Sequence, residues 1–516
     1  MQEQEIKQLA EAVKVLMASD ALRRSPEIRR LLDFIARKSA ALGVEHVTAS
    51  LVAAEHFGVA RGSDQTKSSK PRVQVSRLRS LLAQFYAKEG RDQRWHLVIP
   101  PGRYGVKLVL NMQDQSNFAP RLAVVPFQNL GGGTQQSELC MDLVQELTHL
   151  LTQSRLIRVV SLASQHGFVD LPQSRHLSSA CAIADFVLEG SVRSRPRSLD
   201  LLVQLTDASM KQTVWSQKFE LALEPGEPNA PQVHLATKIA SLLASPSGVI
   251  DRLSRRKPPD GSAYSAVLQF YAYMENYTPE AHAKAKALLL EAVAQAPLYA
   301  EAWACLSGVY WNEHVFGPQP GVGQNTLLDE AFRCARHALA LAPDCATAHY
   351  SLAVSSYQGG QFFLFDQYAK SALALTPFRT DILAGLGVFT ALSGRWQQGL
   401  QLMDRARDLH PHHPDWYWCP YYVGEYVKGN LAGALGYLER VNVETFPHSR
   451  IFTAAIHARK GQTEDALADL SALQAMQPDF IEMLGSHLSR QFPHAGISDL
   501  LMQDLQAPAL QLVQHP

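Results

Sequence analysis

Two consecutive stretches of the chain, PDCATAHYSLAVSSYQGGQFFLFDQYAKSALALT (343–376) and PFRTDILAGLGVFTALSGRWQQGLQLMDRARDLH (377–410), each open on a proline and share a length of 34 residues. Each proline ends the second helix of a hairpin, because proline lacks the N–H that continues the helix and clashes one turn back. A fixed period of this size is typical of stacked helical hairpins. The last half of the chain is therefore predicted to be a solenoid, a class that usually binds other molecules.

Aromatic and small residues recur at fixed positions in this half of the chain. The segment AEAWACLSGVYW (300–311) has Trp303, Leu306 and Tyr310, and the second helices have alanine pairs such as Ala331 and Ala338. This pattern and the period resemble the tetratricopeptide repeat (TPR) family. We count about six hairpins in a TPR solenoid at 262–516, with a capping helix beyond about 480. The hairpins lie near 265–297, 300–343, 346–377, 380–411, 414–447 and 449–478.

The concave face of such an array is lined by the first helices, and a protein or peptide partner would bind there. The candidate partner-binding residues are Trp303, His349, Trp416, Tyr417 and Trp418. Aromatic residues at these spacings are also typical of a packed core, so both interpretations stay open.

Three histidines in HPHHPDW (410–416) raise the question of a metal site. Neither cysteine nor carboxylate accompanies them at zinc-site spacing. No metal site is predicted, and His410 with Pro411 is predicted to end a helix.

Residues 1–112 predict a series of helices followed by a β-hairpin. Helical periodicity covers Gln4–Met17, Pro26–Ala41 with Ser25 as its cap, and about Thr48–Phe57. The next segment, PRVQVSRLRSLLAQFYAKEG (71–90), carries an apolar stripe and leaves its arginines off the core face. The stripe consists of Val75, Leu78, Leu82 and Phe85. Alternation in 95–99 and 104–110 around the turn PPG predicts the hairpin.

Helices ending in a basic one, followed by a hairpin, have the layout of a winged helix-turn-helix. VQVSRLRSLL (73–82) and PPGRYGVKL (100–108) resemble the recognition helix and wing of OmpR/PhoB-type effector domains, and more closely the heads of bacterial TPR regulators. The resemblance implies a helix in the major groove of double-stranded DNA. The candidate DNA-binding residues are Lys67, Lys70, Arg72, Gln74, Arg77, Arg79 and Arg103.

Charge supports this interpretation only locally. The formal net charge of the whole chain is zero, but between Arg61 and Lys107 there are 11 Lys or Arg residues and three acidic residues. Such a run is usually a solvated helix face, which is the alternative to DNA binding.

Residues 119–225 read as an α/β domain. Strands are expected at 121–127, 157–161, 185–195, 198–208 and 212–220, with a helix at 137–152 between the first two. The stretches AVVPFQNL, FVLEGSVR and VQLTDASMKQTVWSQKF resemble the TolB-like N-terminal domain, which implies architecture more than chemistry. Gly131–Gly133 lacks the Lys-Ser/Thr of a phosphate loop, and Glu189 has no acidic or histidine partner at an informative spacing, so no catalytic residue is predicted.

The remaining features predict a cytoplasmic protein. Residues 226–261 are assigned as a linker and one helix, with an exposed basic run at 251–261. The six cysteines form no C-x-x-C pair and are expected to be reduced and mostly buried. No secretory signal or membrane helix is predicted.

Together these patterns predict a multidomain α+β protein with a winged helix-turn-helix, an α/β sandwich-like middle domain and an all-α TPR solenoid. We expect a DNA-binding transcriptional regulator, without cofactor or enzymatic activity, whose repeats bind a protein or peptide partner. The alternative is a non-enzymatic interaction scaffold with a degenerate head. The oligomeric state, a homodimer included, is left open.

Overall fold

The computed structural model describes most of the chain. The described residues are 3–19, 22, 25–58, 70–87, 89–90, 95–99, 103–110, 119–131, 134–160, 173–195, 198–222, 230–256, 263–317, 324–444, 446–494 and 496–514. The chain divides into two compact units, residues 1–115 and 116–516.

The first unit is helical with one small sheet. Its helices are α1 (Glu3–Ala18), α2 (Pro26–Leu42), the short α3 (Ala49–Leu51), which continues as a π-helical turn (Val52–His56), and α4 (Lys70–Ala87). Strands β1 (Trp95–Val98) and β2 (Lys107–Leu110) pair in antiparallel fashion. All four residues of the predicted stripe on α4 are buried, at 3% exposure or less.

Side chains from the helices hold the hairpin of the first unit. The Tyr86 hydroxyl accepts a hydrogen bond from the Leu97 amide at 2.9 Å, and the Ser39 hydroxyl accepts one from the Val106 amide at 2.9 Å. Thr48 caps α3 by accepting from the Leu51 amide. Ser25 is the N-cap residue of α2 and Pro26 stands in its first turn, as predicted, but the Ser25 side chain makes no capping hydrogen bond.

The second unit begins with a six-stranded mixed sheet. Its strands are β3 (Arg121–Val124), β4 (Gln128–Asn129), β5 (Arg158–Val160), β6 (Phe186–Ser194), β7 (Ser198–Asp207) and β8 (Gln212–Ala222). The order is β5-β3-β6-β7-β8, with β4 beside β6, and only the β6–β7 and β7–β8 pairs are antiparallel. Helices α5 (Thr134–Thr152) and α6 (Gln173–Ile183) complete this α/β part.

Helices α7 (Ala230–Ala244) and α8 (Val249–Arg256) connect the sheet to the repeats. The Ser245 hydroxyl donates to the Phe378 carbonyl at 3.1 Å, and Phe378 belongs to the core of the α/β part. The prediction of an exposed run at 251–261 holds for Arg252 and Arg256, which are exposed, but was wrong for Asp251, whose side chain is only 3% exposed and pairs with Arg255 at 2.5 Å. Residues 257–261 lie outside the described residues.

One segment of the described residues, Gln232–Arg256, is long and apolar enough to cross a membrane by length and composition. Within the second unit 72% of its apolar window is buried. Such burial is also typical of a core helix that packs between two parts of a protein.

The solenoid that the proline spacing predicts is confirmed by six consecutive helical hairpins. The hairpins are α9/α10 (Ala263–Glu275, Pro279–Gln295), α11/α12 (Ala300–Phe316, Gln324–Leu341), α13/α14 (Ala346–Gln358, Phe362–Leu375), α15/α16 (Thr380–Leu392, Trp396–Leu409), α17/α18 (Cys419–Val427, Leu431–Leu438) and α19/α20 (Arg450–Arg459, Thr463–Met476). In four hairpins the turn holds a glycine with φ of 70–91°, a conformation that glycine adopts without steric cost. These glycines are Gly360, Gly394, Gly429 and Gly461.

Two further helices, α21 (Leu484–Gln491) and α22 (Ile497–Gln514), fold back on the array. Arg490, which is 6% exposed, donates to the His314 carbonyl at 2.7 Å and to the His487 ring at 2.7 Å. The His494 ring bonds the Tyr357 carbonyl at 2.8 Å. Repeats of an open solenoid contact only their neighbours, whereas α21 here contacts the second hairpin. We call this set of contacts the clasp.

Candidate partner-binding cavity

The inner side of the repeats encloses a cavity of about 170 Å³. Its walls come mainly from the first helices α9, α11, α13, α15 and α17, which is the side that the TPR geometry assigns to partners. Residues near the clasp, Gln491 and Phe492, add one more wall. We call this space the inner cavity.

Aromatic rings form most of the wall, and they come from hairpins that are distant in sequence. Tyr277 of the first hairpin lies 5.8 Å, between ring centroids, from both Phe316 and Phe446. Trp311 lies edge-on to Phe389 at 5.4 Å. Edge-to-face pairs at these distances are favourable beyond their buried area, so the wall is a packed surface with defined positions.

A chain of polar contacts crosses four hairpins along the wall of the cavity. Arg379, 2% exposed, binds both carboxylate oxygens of Asp381, at 2.8 and 2.6 Å, and also donates to the Tyr271 hydroxyl at 2.9 Å. That hydroxyl donates to Glu301 at 2.9 Å, and the Thr347 hydroxyl donates to the same carboxylate oxygen at 2.6 Å. We call these five residues the inter-repeat network. It fixes the spacing of the first helices that line the cavity.

The charged groups that line the inner cavity are paired. Asp381 is held by Arg379, and Glu275 is held at 2.9 Å by Arg255, which also pairs with Asp251. Burial lowers the pKa of His410 and lowers that of His448 to about 4. Both imidazoles are therefore neutral near pH 7, and each carboxylate of the lining among the described residues has an arginine partner.

Five polar atoms of the lining have no hydrogen-bond partner among the described residues. They are the indole Nε1 atoms of Trp311 and Trp416, the Oδ1 atom of Asn312 and the Nδ1 atoms of His410 and His448. Asn312 is 2% exposed. A buried polar atom without a partner costs about 1–3 kcal/mol, so a bound molecule that pairs with these atoms would relieve that cost.

The structure separates the five candidate residues predicted for partner binding. Trp416 and Tyr417 line the inner cavity, but Trp303, His349 and Trp418 do not. Trp303 donates to the Pro297 carbonyl at 2.9 Å, and His349 bonds the Pro343 carbonyl at 2.9 Å. These two side chains occupy equivalent positions and tie a first helix to the preceding proline.

Trp418 has a different environment. It is 8% exposed and is sandwiched between two guanidinium groups, those of Arg407 at 4.0 Å and Arg440 at 4.8 Å from its ring centroid. Contacts of this type are cation–π interactions, and they give Trp418 a packing role.

The basic candidates in the first unit also differ from one another. Arg72, Arg77 and Arg103 have exposed side chains, and Gln74 is half-buried. Arg79 donates to the Ile99 carbonyl at 3.0 Å and to the Arg103 carbonyl at 2.5 Å, so it joins α4 to the hairpin. Lys67 and the side chain of Lys70 lie outside the described residues.

Other residues that line the cavity were not among the candidates predicted from the sequence. Trp311, Asn312 and Tyr277 line the cavity, yet none was selected. Trp311 stands one position after Tyr310, the residue that fits the TPR pattern, and so could have been found by asking which residues the pattern leaves unexplained. Tyr277 lies after the end of a first helix, and no sequence signal marks it.

Comparisons with known proteins give distant similarities. No protein-family model matches the chain. A protein of Rhizobium meliloti (strain 1021) named "Putative adenylate cyclase 3" is 22% identical over 237 residues, which is 46% of this chain. The chain spans only 40% of the length of that curated relative.

Similar solved structures include helical-repeat proteins. A thermophilic TPR protein of Thermus thermophilus, TTC0263, matches 36% of this chain and 90% of its own (TM-score 0.27, 18% identity). Pseudomonas aeruginosa pilF matches 48% of this chain and 96% of its own (0.28, 17%). TolB of Acinetobacter baumannii matches 24% of this chain and 27% of its own (0.16, 17%). The TM-scores are low, and the assignment of a TPR-type array rests on the hairpins described above.

Proposed function

We propose that this protein is a non-enzymatic interaction scaffold whose repeats hold a protein or peptide partner in the inner cavity. The observation that carries the proposal is the aromatic cavity on the inner side of the first helices. Concave surfaces of helical arrays are the binding surfaces of this architecture. The activity in the name of the Rhizobium relative is not assigned to this chain, because the similarity covers 40% of that protein.

Site-specific photo-crosslinking in cells of the source organism tests the proposal. The photoreactive residue p-benzoylphenylalanine replaces Trp416, which lines the cavity, in the full-length protein. A matched control places it at Leu290, which is 42% exposed and outside the cavity lining. We expect one defined adduct from position 416 and none from position 290. Equal labelling at both positions, or no adduct at 416, would contradict the proposal.

A second candidate function, DNA binding by the first unit, is favoured by one observation. Arg72 and Arg77 are exposed on α4, and Arg103 is exposed beside the hairpin that Arg79 joins to this helix. A winged helix-turn-helix would present its recognition helix in this way. In this version of the proposal, a partner on the repeats changes the access of the first unit to promoter DNA.

Gel shifts with duplex DNA across a salt titration test this second function. Each lost phosphate contact lowers the slope of log affinity against log salt by about one. We expect Arg72→Ala and Arg77→Ala each to do so in the full-length protein. If both variants keep the wild-type slope, the hypothesis of DNA binding through α4 is rejected and the scaffold function is the one that remains.

We propose a cytoplasmic location for this scaffold. All six cysteines are unpaired in the structure, and free thiols are usual in a reducing compartment. A cytoplasmic scaffold is consistent with this.

A further inference from the structure

We infer that the inner cavity binds an uncharged apolar side chain of a peptide, about the size of one aromatic ring, together with a backbone amide next to it. This inference rests on the proposed function and specifies the chemistry of the partner segment. It follows from the size of the cavity, from its charge balance and from the five unpartnered polar atoms of its lining.

Size limits the apolar group. An apolar cavity of about 150 Å³ accommodates a benzene molecule, and the inner cavity has about 170 Å³. The surrounding rings, such as Trp311 and Phe389 at 5.4 Å, offer edges and faces to another aromatic group. A phenyl-sized side chain therefore fits, whereas a folded element of the partner does not.

Charge excludes an ionic ligand group. Both carboxylates that line the cavity, those of Asp381 and Glu275, are already paired with arginines. A carboxylate or an ammonium group entering this space would lose its hydration without gaining a counter-ion, which costs several kcal/mol. The end of a peptide chain is therefore disfavoured, and an internal segment is favoured.

The unpartnered atoms specify the polar part of the ligand. The Nε1–H groups of Trp311 and Trp416 donate, Oδ1 of Asn312 accepts, and the Nδ1 atoms of His410 and His448 donate or accept according to the tautomer. A backbone amide supplies both complements, because its C=O accepts and its N–H donates. A purely apolar ligand would leave all five atoms without partners.

Three small probes separate these features. N-acetylphenylalanine amide is uncharged, N-acetylphenylalanine carries a carboxylate, and phenylalanine amide carries an ammonium group. Each is titrated into the full-length protein, and binding is followed by tryptophan fluorescence, excited where phenylalanine does not absorb. We expect the uncharged probe to bind about tenfold or more tightly than either charged probe.

Two variants test the polar contacts. Trp311→Phe keeps a ring but removes the N–H, and Asn312→Leu keeps the volume but removes the acceptor. Each should weaken binding of the uncharged probe about fivefold. The matched control, Trp215→Phe, lies in strand β8 outside the cavity lining and should leave binding unchanged.

Several outcomes would overturn the inference. These are equal or tighter binding of a charged probe, equal binding by both cavity variants and wild type, and no binding of the uncharged probe. The crosslinking experiment separates this failure from failure of the proposed function. If the residue at position 416 captures a partner and the yield is insensitive to Trp311→Phe and Asn312→Leu, the scaffold function stands and the inferred ligand chemistry does not.

Discussion

Replacing Arg379 with methionine breaks the inter-repeat network at its cation while it approximately preserves side-chain volume. Removing one partner of a buried ion pair typically costs about 3–5 kcal/mol. In this variant Asp381, which is 26% exposed, is hydrated again. Tyr271 and Glu301, at the other end of the network, stay buried at 4% and 1% exposure. We therefore expect a cost near the lower end, about 3 kcal/mol.

Native-state hydrogen exchange measures this cost locally in the full-length protein, where a single unfolding transition is not expected. A loss of about 3 kcal/mol accelerates exchange about 150-fold, at tenfold for every 1.4 kcal/mol. The affected amides should be those in the first turns of α11, α13 and α15. The sheet β3–β8 should be less affected, because none of its residues belongs to the inter-repeat network.

A matched arginine serves as the control. Arg333 of α12 pairs with Glu330 on the surface, with its side chain 54% exposed. Surface pairs of this kind contribute less than about 1 kcal/mol, so Arg333→Met should change exchange less than about fivefold. If Arg379→Met behaves like Arg333→Met, the network does not hold the first helices together and the reasoning is refuted.

Three further predictions concern the clasp, a pH dependence and the first unit. Arg490→Met should lower the local stability of α21 and α22 by about 2–4 kcal/mol, because buried carbonyl groups lose their hydrogen-bond donor. Protease cleavage and amide exchange in these two helices should therefore rise, and unchanged protection would show that the clasp does not hold them. Hydrogen bonds, first from His282, lower the pKa of Glu313 from 4.5 to about 2. The ionised Glu313 therefore stabilises the packing of α10 and α11 by roughly 2 kcal/mol, after allowance for solvent screening. This contribution is present above pH 4.5 and is lost as the pH falls towards 2. Hydrogen-exchange rates measured across this range should show the loss of protection in wild type and not in Glu313→Gln. Arg79→Ala should lower the free energy of unfolding of the first unit by about 1–3 kcal/mol, as measured by calorimetry. The control Arg77→Ala changes an exposed side chain and should alter this free energy by less than about 0.5 kcal/mol.

The repeat array was predictable because its signals are local. Prolines at a fixed period and the small residues of the second helices follow from helix geometry, which each hairpin obeys separately. The buried stripe of α4 was predictable for the same reason, since Val75, Leu78, Leu82 and Phe85 share one helix face. Strand β4 was not predicted, because two residues carry no periodicity.

The inner cavity could be predicted only in part. Trp416 and Tyr417 were selected as aromatic residues on a first helix, and both line the cavity. Their neighbour Trp418 was selected by the same criterion and is packed between two arginines. Helix periodicity does not distinguish these environments in the 3₁₀ turn Asp415–Trp418. The contact of Tyr277 with Phe446 depends on the curvature of the whole array, which no single repeat encodes.

The clasp has a kinetic consequence for any guest. Because α21 is bonded to the end of α11, the wall that Gln491 and Phe492 add to the inner cavity stays in place while the Arg490 contacts hold. We expect a peptide side chain that enters at this seam to wait until these contacts separate. Association would then be gated by the opening of the seam and fall below the rates usual for preformed surfaces. Once the seam closes again, the same gate delays escape, so a modest equilibrium affinity can coexist with a long residence time.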